Sequence, residues 1–236
     1  MRIAATLLLL LSSFSLFAQE EEQQIVADRP GLADGAATVG AGVVQLETGL
    51  MLADDGDPSQ TLPTLLRFGI SDRFELRVQS DVVGRVAGDT ELAPIAAGFK
   101  LRLREGAIPL SLIASVQPPS GGGAFRTTDF AVDARVVSDI DLGNDFSLTP
   151  NAGLQRDDDG TTAAVFAMSL EKEVGDALPF VDFETTFDGG EASLIADAGV
   201  AWIVRPNTQL DVSAGGGLAG DGTPDWFISA GYSRRF

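Results

Sequence analysis

Charged side chains recur at every second position over long stretches of this chain. Arg73, Glu75 and Arg77 are separated by Phe74 and Leu76, and Lys100 and Arg102 by Leu101. Asp182 and Glu184 flank Phe183, and Glu47, Arg67, Asp197 and Asp211 stand in similar alternating runs. Three chemistries are open to such residues. Two carboxylates pointing the same way, as Asp182 and Glu184 do, could move a proton. Clustered acids such as those at 54–57 and 157–159 could collect divalent cations that bridge lipopolysaccharide, although their spacing does not match an EF-hand loop. Rows of mixed sign could orient a charged or polar solute.

Composition narrows the choice. The 236 residues include no His and no Cys. The commonest general base and metal ligand is therefore missing, as are any thiolate site and any disulfide framework. Ester hydrolysis by a Ser activated by His is excluded, so no enzyme and no cofactor are expected. The formal net charge is −18, from 34 acids and 16 bases. Binding to nucleic acid rests on neutralising phosphates, so that partner class is set aside.

What must position these charges is a set of strands. Successive side chains of a strand point to opposite faces. The stretch 61–83, TLPTLLRFGISDRFELRVQSDVV, reads as a hairpin turning at Ser71-Asp72. Its second half puts Phe74, Leu76, Val78 and Val82 on one face and Arg73, Glu75, Arg77, Gln79 and Asp81 on the other. The same alternation returns at 44–52, 62–70, 95–103, 110–116, 130–136, 146–154, 164–170, 181–187, 194–202, 210–218 and 226–236. That makes about twelve strands, each long enough to cross a bilayer when tilted. No window holds a helical stripe, because Gly or Pro interrupts each long one. Connections alternate between Gly-rich acidic loops (53–60, 84–91, 118–126, 156–161, 188–191, 219–224) and turns that are often tight.

One face is apolar in all of these strands and the other is polar in nearly all. Two closed architectures satisfy this. A soluble barrel or sandwich, a periplasmic binding protein among them, buries the apolar face. An antiparallel up-and-down transmembrane β-barrel turns it to lipid and lines a lumen with the charges. The Ala- and Thr-rich apolar face, the charge rows, the strand length and the even strand count favour the membrane barrel. The chain also ends GYSRRF, with Phe236 terminal and Tyr232 and Ile228 on its face. A last strand ending in an aromatic is the mark read by the outer-membrane barrel-assembly machinery.

The first 18 residues, MRIAATLLLLLSSFSLFA, read as a cleaved signal peptide. Arg2 is its charged start and Ala18 the residue before cleavage. Residues 19–42 have no periodicity, and DRPG at 28–31 reads as a turn. This segment is expected in the periplasm, either as a disordered leader or folded into the lumen as a partial plug with Arg29 against an acidic wall.

The segments ADRPGLADG at 27–35, GAGVVQLETGL at 40–50, LPTLLRFGISDRFELRV at 62–78 and PNTQLDVSAGGGL at 206–218 carry a resemblance. They resemble the bacterial outer-membrane family named for a meta-pathway of phenol degradation, whose members are usually labelled transporters. The resemblance covers nearly all of the chain after the signal segment. It implies an outer-membrane barrel passing small solutes, hydrophobic or aromatic compounds among them. The alternative is a non-conducting structural or interaction barrel. Expected partners are outer-membrane lipid, lipopolysaccharide, the assembly machinery and a small solute. The expected lumen lining is Glu47, Arg67, Arg73, Glu75, Arg77, Lys100, Arg102, Asp182, Glu184, Asp197 and Asp211. It acts either as a transverse field that guides solute or as a salt-bridged filling.

Overall fold

The computed structural model describes residues 24–86, 89–221 and 223–236. The signal segment expected at 1–18 lies outside the described residues. In chain order the strands are β1 (Val44–Asp54), β2 (Ser59–Thr61), β3 (Thr64–Ser71), β4 (Phe74–Ser80), β5 (Val83–Val86) and β6 (Asp89–Leu92). Next come β7 (Ile95–Arg104), β8 (Leu110–Gln117), β9 (Ala131–Ser138), β10 (Ile140–Gly143) and β11 (Phe146–Arg156). The last are β12 (Thr162–Lys172), β13 (Ala177–Asp188), β14 (Glu191–Arg205), β15 (Thr208–Ala219) and β16 (Trp226–Arg235).

Twelve of these form a closed antiparallel ring in the order β1, β3, β4, β7, β8, β9, β11, β12, β13, β14, β15, β16. The ring closes where β1 pairs with β16, from Gln45 opposite Arg235 to Asp54 opposite Trp226. Closure leaves the ring without a free edge. Each of the twelve runs of alternation in the sequence supplies one strand of it.

The alternation decides which face meets which medium. The largest fully buried side chains include Arg67, Lys100, Gln45, Glu47 and Glu75, all from the polar face. Leu50, Leu76, Leu154, Phe166, Trp202 and Ile228 are exposed on the outside. An exposed apolar surface that continues from strand to strand is foreign to a protein in water, whereas a lipid-facing barrel requires it. Aromatics gather on that surface: Phe74 and Phe99 lie 5.7 Å apart between ring centroids, and Phe166 and Phe187 6.0 Å apart. The apolar-inside arrangement of a soluble sandwich does not occur.

The barrel departs from a simple meander on one side. Three neighbouring strands bend at one height: β2 gives way to β3 at Leu62-Pro63, β4 to β5 at Asp81-Val82, and β6 to β7 at Ala93-Pro94. Proline has no N–H to give to the ladder, and Val82 takes a left-handed backbone with φ of 51°. Leu62 N–H still bonds Asp81 O at 3.1 Å and Ala93 N–H bonds Val82 O at 3.0 Å, so the wall stays joined across the bend. Beyond it, β2, β5 and β6 form a lip that continues from the outer half of β1. The loops expected at 53–60 and 84–91 are thus partly strand, because Arg85 pairs with Thr90 and Gln60 with Arg85. A single helical turn, Gly123–Phe125, covers the free edge of β6, and Gly122 N–H donates to Leu92 O at 3.0 Å. Phe125 lies over Gly84, where no Cβ would fit.

Candidate functional site: the lumen and the segment inside it

Residues 25–41 run inside the barrel, at the end where β3 turns into β4 and where β16 finishes. Ile25, Ala33, Ala36 and Val39 are buried there, and Ala36 joins Ile113 and Val137 in a small apolar cluster. The segment forms no strand, so its backbone groups need partners other than a ladder. The charged rows of the wall supply them.

The donors of the segment meet acids and an amide. Asp28 N–H and Arg29 N–H donate to Glu47 Oε2 at 2.9 and 3.0 Å. Leu32 N–H donates to Asp182 Oδ2 at 2.8 Å, Asp34 N–H to Asn151 Oδ1 at 2.9 Å, and Ala36 N–H to Asp139 Oδ2 at 2.9 Å. Val39 N–H donates to Glu75 Oε2 at 2.8 Å. The acceptors meet bases, amides and a hydroxyl. Val26 O accepts from Gln45 at 2.9 Å and Arg67 at 3.1 Å, and Ala37 O from Arg67 at 2.7 Å. Gly35 O accepts from Lys100 at 2.7 Å, Ala36 O from Ser111 at 2.6 Å, Arg29 O from Gln209 at 2.9 Å, and Val39 O from Arg235 at 3.1 Å.

Side chains of the segment complete the charge balance. Asp28 lies among Arg67, Arg77 and Lys100, with Lys100 Nζ 2.8 Å from Oδ2 and Arg67 Nη1 3.4 Å from it. Asp34 pairs with Arg77 at 2.8 Å. Arg67 also bridges Glu47 at 3.0 Å and Glu75 at 2.8 Å. On the opposite wall Arg29 Nη2 reaches Asp211 at 3.3 Å and Ser229 at 2.8 Å. A buried charge is tolerable only when paired and hydrogen-bonded, and here wall and segment satisfy each other.

The expected lining residues therefore divide. Glu47, Arg67, Glu75, Arg77 and Lys100 form one cluster around Asp28, while Asp182 and Asp211 hold the segment from the other side. Glu184 meets Arg135 at 3.1 Å, away from the segment. Asp197 stands directly opposite Asp182 in the β13–β14 register, buried, with neither carboxylate oxygen bonded. Arg102 is half-buried opposite Ser111. Arg73 is a correction: it occupies the β3–β4 turn, its side chain is 60% exposed, and it pairs with Glu105 at 2.9 Å outside the lumen. Strand alternation was extended one residue too far, into the turn. The residues that sequence reasoning left out are Asp28, Asp34, Asp139 and Asn151. Asp28 and Asp34 belong to a stretch without periodicity, where no pattern announces a binding face.

Beyond the segment the lumen is open toward the loop end. Three cavities follow one another. One of about 430 Å³ at the mouth is lined by Asp157, Asp188, Glu191 and Asp221. It shares Gln155 and Asp157 with a second, of about 230 Å³, whose floor includes Asp34 and Arg77. That one shares Gln79 and Gln117 with a third, of about 310 Å³, tucked under the wall bend beside Arg29.

The family model "Putative MetA-pathway of phenol degradation" matches residues 27–236. The chain belongs to this family. No curated protein sequence matches it. Among solved structures it is similar to an outer membrane channel from Pseudomonas putida F1, with a TM-score of 0.64 at 14% identity, covering 90% of this chain and 100% of the other. It is also similar to the KdgM porin, with a TM-score of 0.57 at 9% identity over 81% of this chain and 99% of that one. The NanC porin gives a TM-score of 0.57 at 6% identity, over 81% and 98%. At such identities the likeness concerns the fold: an outer-membrane β-barrel of the kind seen in channels and porins. The family match begins inside the inserted segment, so segment and barrel belong to one unit.

Proposed function

We propose that this chain is an outer-membrane channel for small solutes, with residues 25–41 as a plug at the periplasmic end of its lumen. The single observation that carries the reading is the way the segment is held. It joins the wall through side-chain bonds and ion pairs, while the ring of twelve strands closes without it. The segment can therefore leave, or shift, without opening the barrel. The acidic mouth and the lumen behind it give a solute a route as far as the plug.

On this reading the signal segment at 1–18 directs export, the aromatic end of β16 at Phe236 engages the assembly machinery, and the outer surface meets lipid and lipopolysaccharide. Similar structures are channels and porins, and the family is named for phenol degradation. Small neutral or aromatic solutes are the cargo class this supports. A second reading, a permanently closed structural barrel, is favoured by the density of bonds on the segment.

Planar-bilayer recording of the full chain separates the two. Discrete conductance steps, larger and more frequent in Asp28→Asn than in the parent, are expected for the plugged channel. A barrel that inserts, migrates as folded without heating, and stays silent in both forms is the structural one.

A further inference from the structure

The inner lumen has a second feature apart from the plug, and it rests on the channel reading above. Most charge in the middle cavity is already matched. Arg77 is held by Asp28 and Asp34, and Arg135 by Asp133 and Glu184. What stands free is neutral. Gln79 and Gln117 line both inner cavities, and their carboxamides make no hydrogen bond among the described residues.

Their placement follows from register. Gln79 of β4 lies opposite Ala96 of β7, and Ala97 lies opposite Val116 of β8, which sets Gln117 on the other side of Ala96. Two strand spacings separate the two backbones, about 10 Å. Ala96 is small, so the space between the amides is left clear. Next to them the wall bend contributes Pro63, Leu65, Ala93 and Pro94 to the cavity of about 310 Å³. The prolines bring apolar rings and no N–H. An apolar corner thus meets a pair of free amides.

We infer that this corner is a selectivity site for an uncharged small molecule with one apolar side and hydroxyl or carbonyl groups along its edge, and that Gln79 and Gln117 are its specificity-determining residues. An anion meets the four acids of the mouth first. An ion of either sign that reaches the corner finds amides where it needs a free counter-charge, and desolvating it is costly. A molecule without polar groups leaves both amides unpaired, which is the unfavourable case for a buried hydrogen-bonding group. A site built on hydrogen bonds rejects the analogue lacking them more strongly than an apolar pocket rejects a different shape.

The test uses the full chain in micelles, with saturation-transfer NMR reading binding of three compounds on one framework: cyclohexane-1,4-diol, cyclohexane-1,4-dicarboxylate and 1,4-diaminocyclohexane at neutral pH. The diol should bind and the two ions should bind about tenfold more weakly or not at all. The double variant Gln79→Leu with Gln117→Leu, verified as folded by its heat-modifiable mobility, should lose about tenfold in diol affinity. Absence of diol binding, equal binding of diol and ions, or unchanged diol binding by the double variant would each overturn the inference. Proteoliposome swelling is then run in parallel. Selective binding of the diol with no entry of any solute would leave the site standing and remove the channel reading instead.

Discussion

Lys100 Nζ lies 2.8 Å from one carboxylate oxygen of Asp28 and 3.0 Å from the other, and it also donates to Gly35 O at 2.7 Å. One ammonium on β7 therefore grips a side chain and a backbone carbonyl of a segment that belongs to no strand. Asp28 in turn faces Arg67 and Arg77. Four carboxylates (Asp28, Asp34, Glu47, Glu75) and three cations (Arg67, Arg77, Lys100) make up the cluster. Removing an acid from it is not equivalent to removing a base.

The two substitutions rank accordingly. Asp28→Asn leaves three cations with one counter-charge fewer, and breaking a buried pair from one side costs about 3–5 kcal/mol. Lys100→Met leaves Asp28 with two guanidinium partners and costs less. Asp28→Asn should give the larger rise in bilayer conductance, and Lys100→Met a smaller one. The reverse order would place the anchor elsewhere.

Gly69 tests docking without altering charge. Its N–H donates to Val43 O at 2.8 Å and its carbonyl accepts from Gly42 N–H at 2.9 Å. A Cβ built on it would lie 1.6 Å from Gly40 O and 2.6 Å from Gly40 C. Both contacts are backbone, so rotating a side chain cannot relieve them. Gly69→Ala should push the C-terminal end of the segment off the wall. Protease cleavage within residues 30–41 should become faster in folded barrels, while β3 and β4 remain protected. Unchanged cleavage would mean that the segment moves with its neighbour.

Some of this could be read from the residues alone. Strand alternation is a property of single stretches such as 73–82, where Phe74, Leu76 and Val78 face one medium and Glu75 and Arg77 another, so the barrel and its inner face were legible. The bend was not. Pro63 and Pro94 lie 31 residues apart in sequence, and only pairing brings them to one height. Nor was the partner of the charge rows. Asp28, Arg29 and Asp34 lie in a stretch without period, and their contacts reach as far as Asp211 and Ser229 at the other end of the chain. The rows themselves suggested either a field across the lumen or pairs within the wall. The actual third partner, a backbone needing donors and acceptors, leaves no periodic trace.

Acid should favour the docked segment. Asp139, between β9 and β10, accepts from Ala36 N–H at 2.9 Å and from Thr149 at 3.2 Å. Burial pushes its carboxyl above the usual Asp value, and these two hydrogen bonds offset that only in part. Withdrawal of the segment removes the cover and returns the carboxyl toward its ordinary value. The docked form therefore binds the proton more tightly, and docking strengthens as pH falls from neutrality toward the ordinary Asp value of about 4. Open probability should decline over that window, and Asp139→Asn should flatten the decline. A channel that opens on acidification would reverse the assigned sign.

The outward face can be tested independently of the lumen. Leu76 is 44% exposed on the outer surface of β4, flanked across the ladder by Phe68 and Phe99. Its strand neighbours Glu75 and Arg77 are buried inside. An Arg at this height has no polar partner on its own face, and in a lipid-facing position near the midplane it costs about 2–4 kcal/mol. Leu76→Arg should lower the urea midpoint for folding into vesicles and reduce the fraction of heat-modifiable barrel. Leu76→Phe, which keeps the surface apolar, should fold like the parent. The same Arg at exposed Arg73, reached by exchanging it with Lys, should have little effect, because that turn already faces water. Normal folding of Leu76→Arg in bilayers would mean that this face of β4 is not against lipid, and the barrel's inside and outside would have to be exchanged.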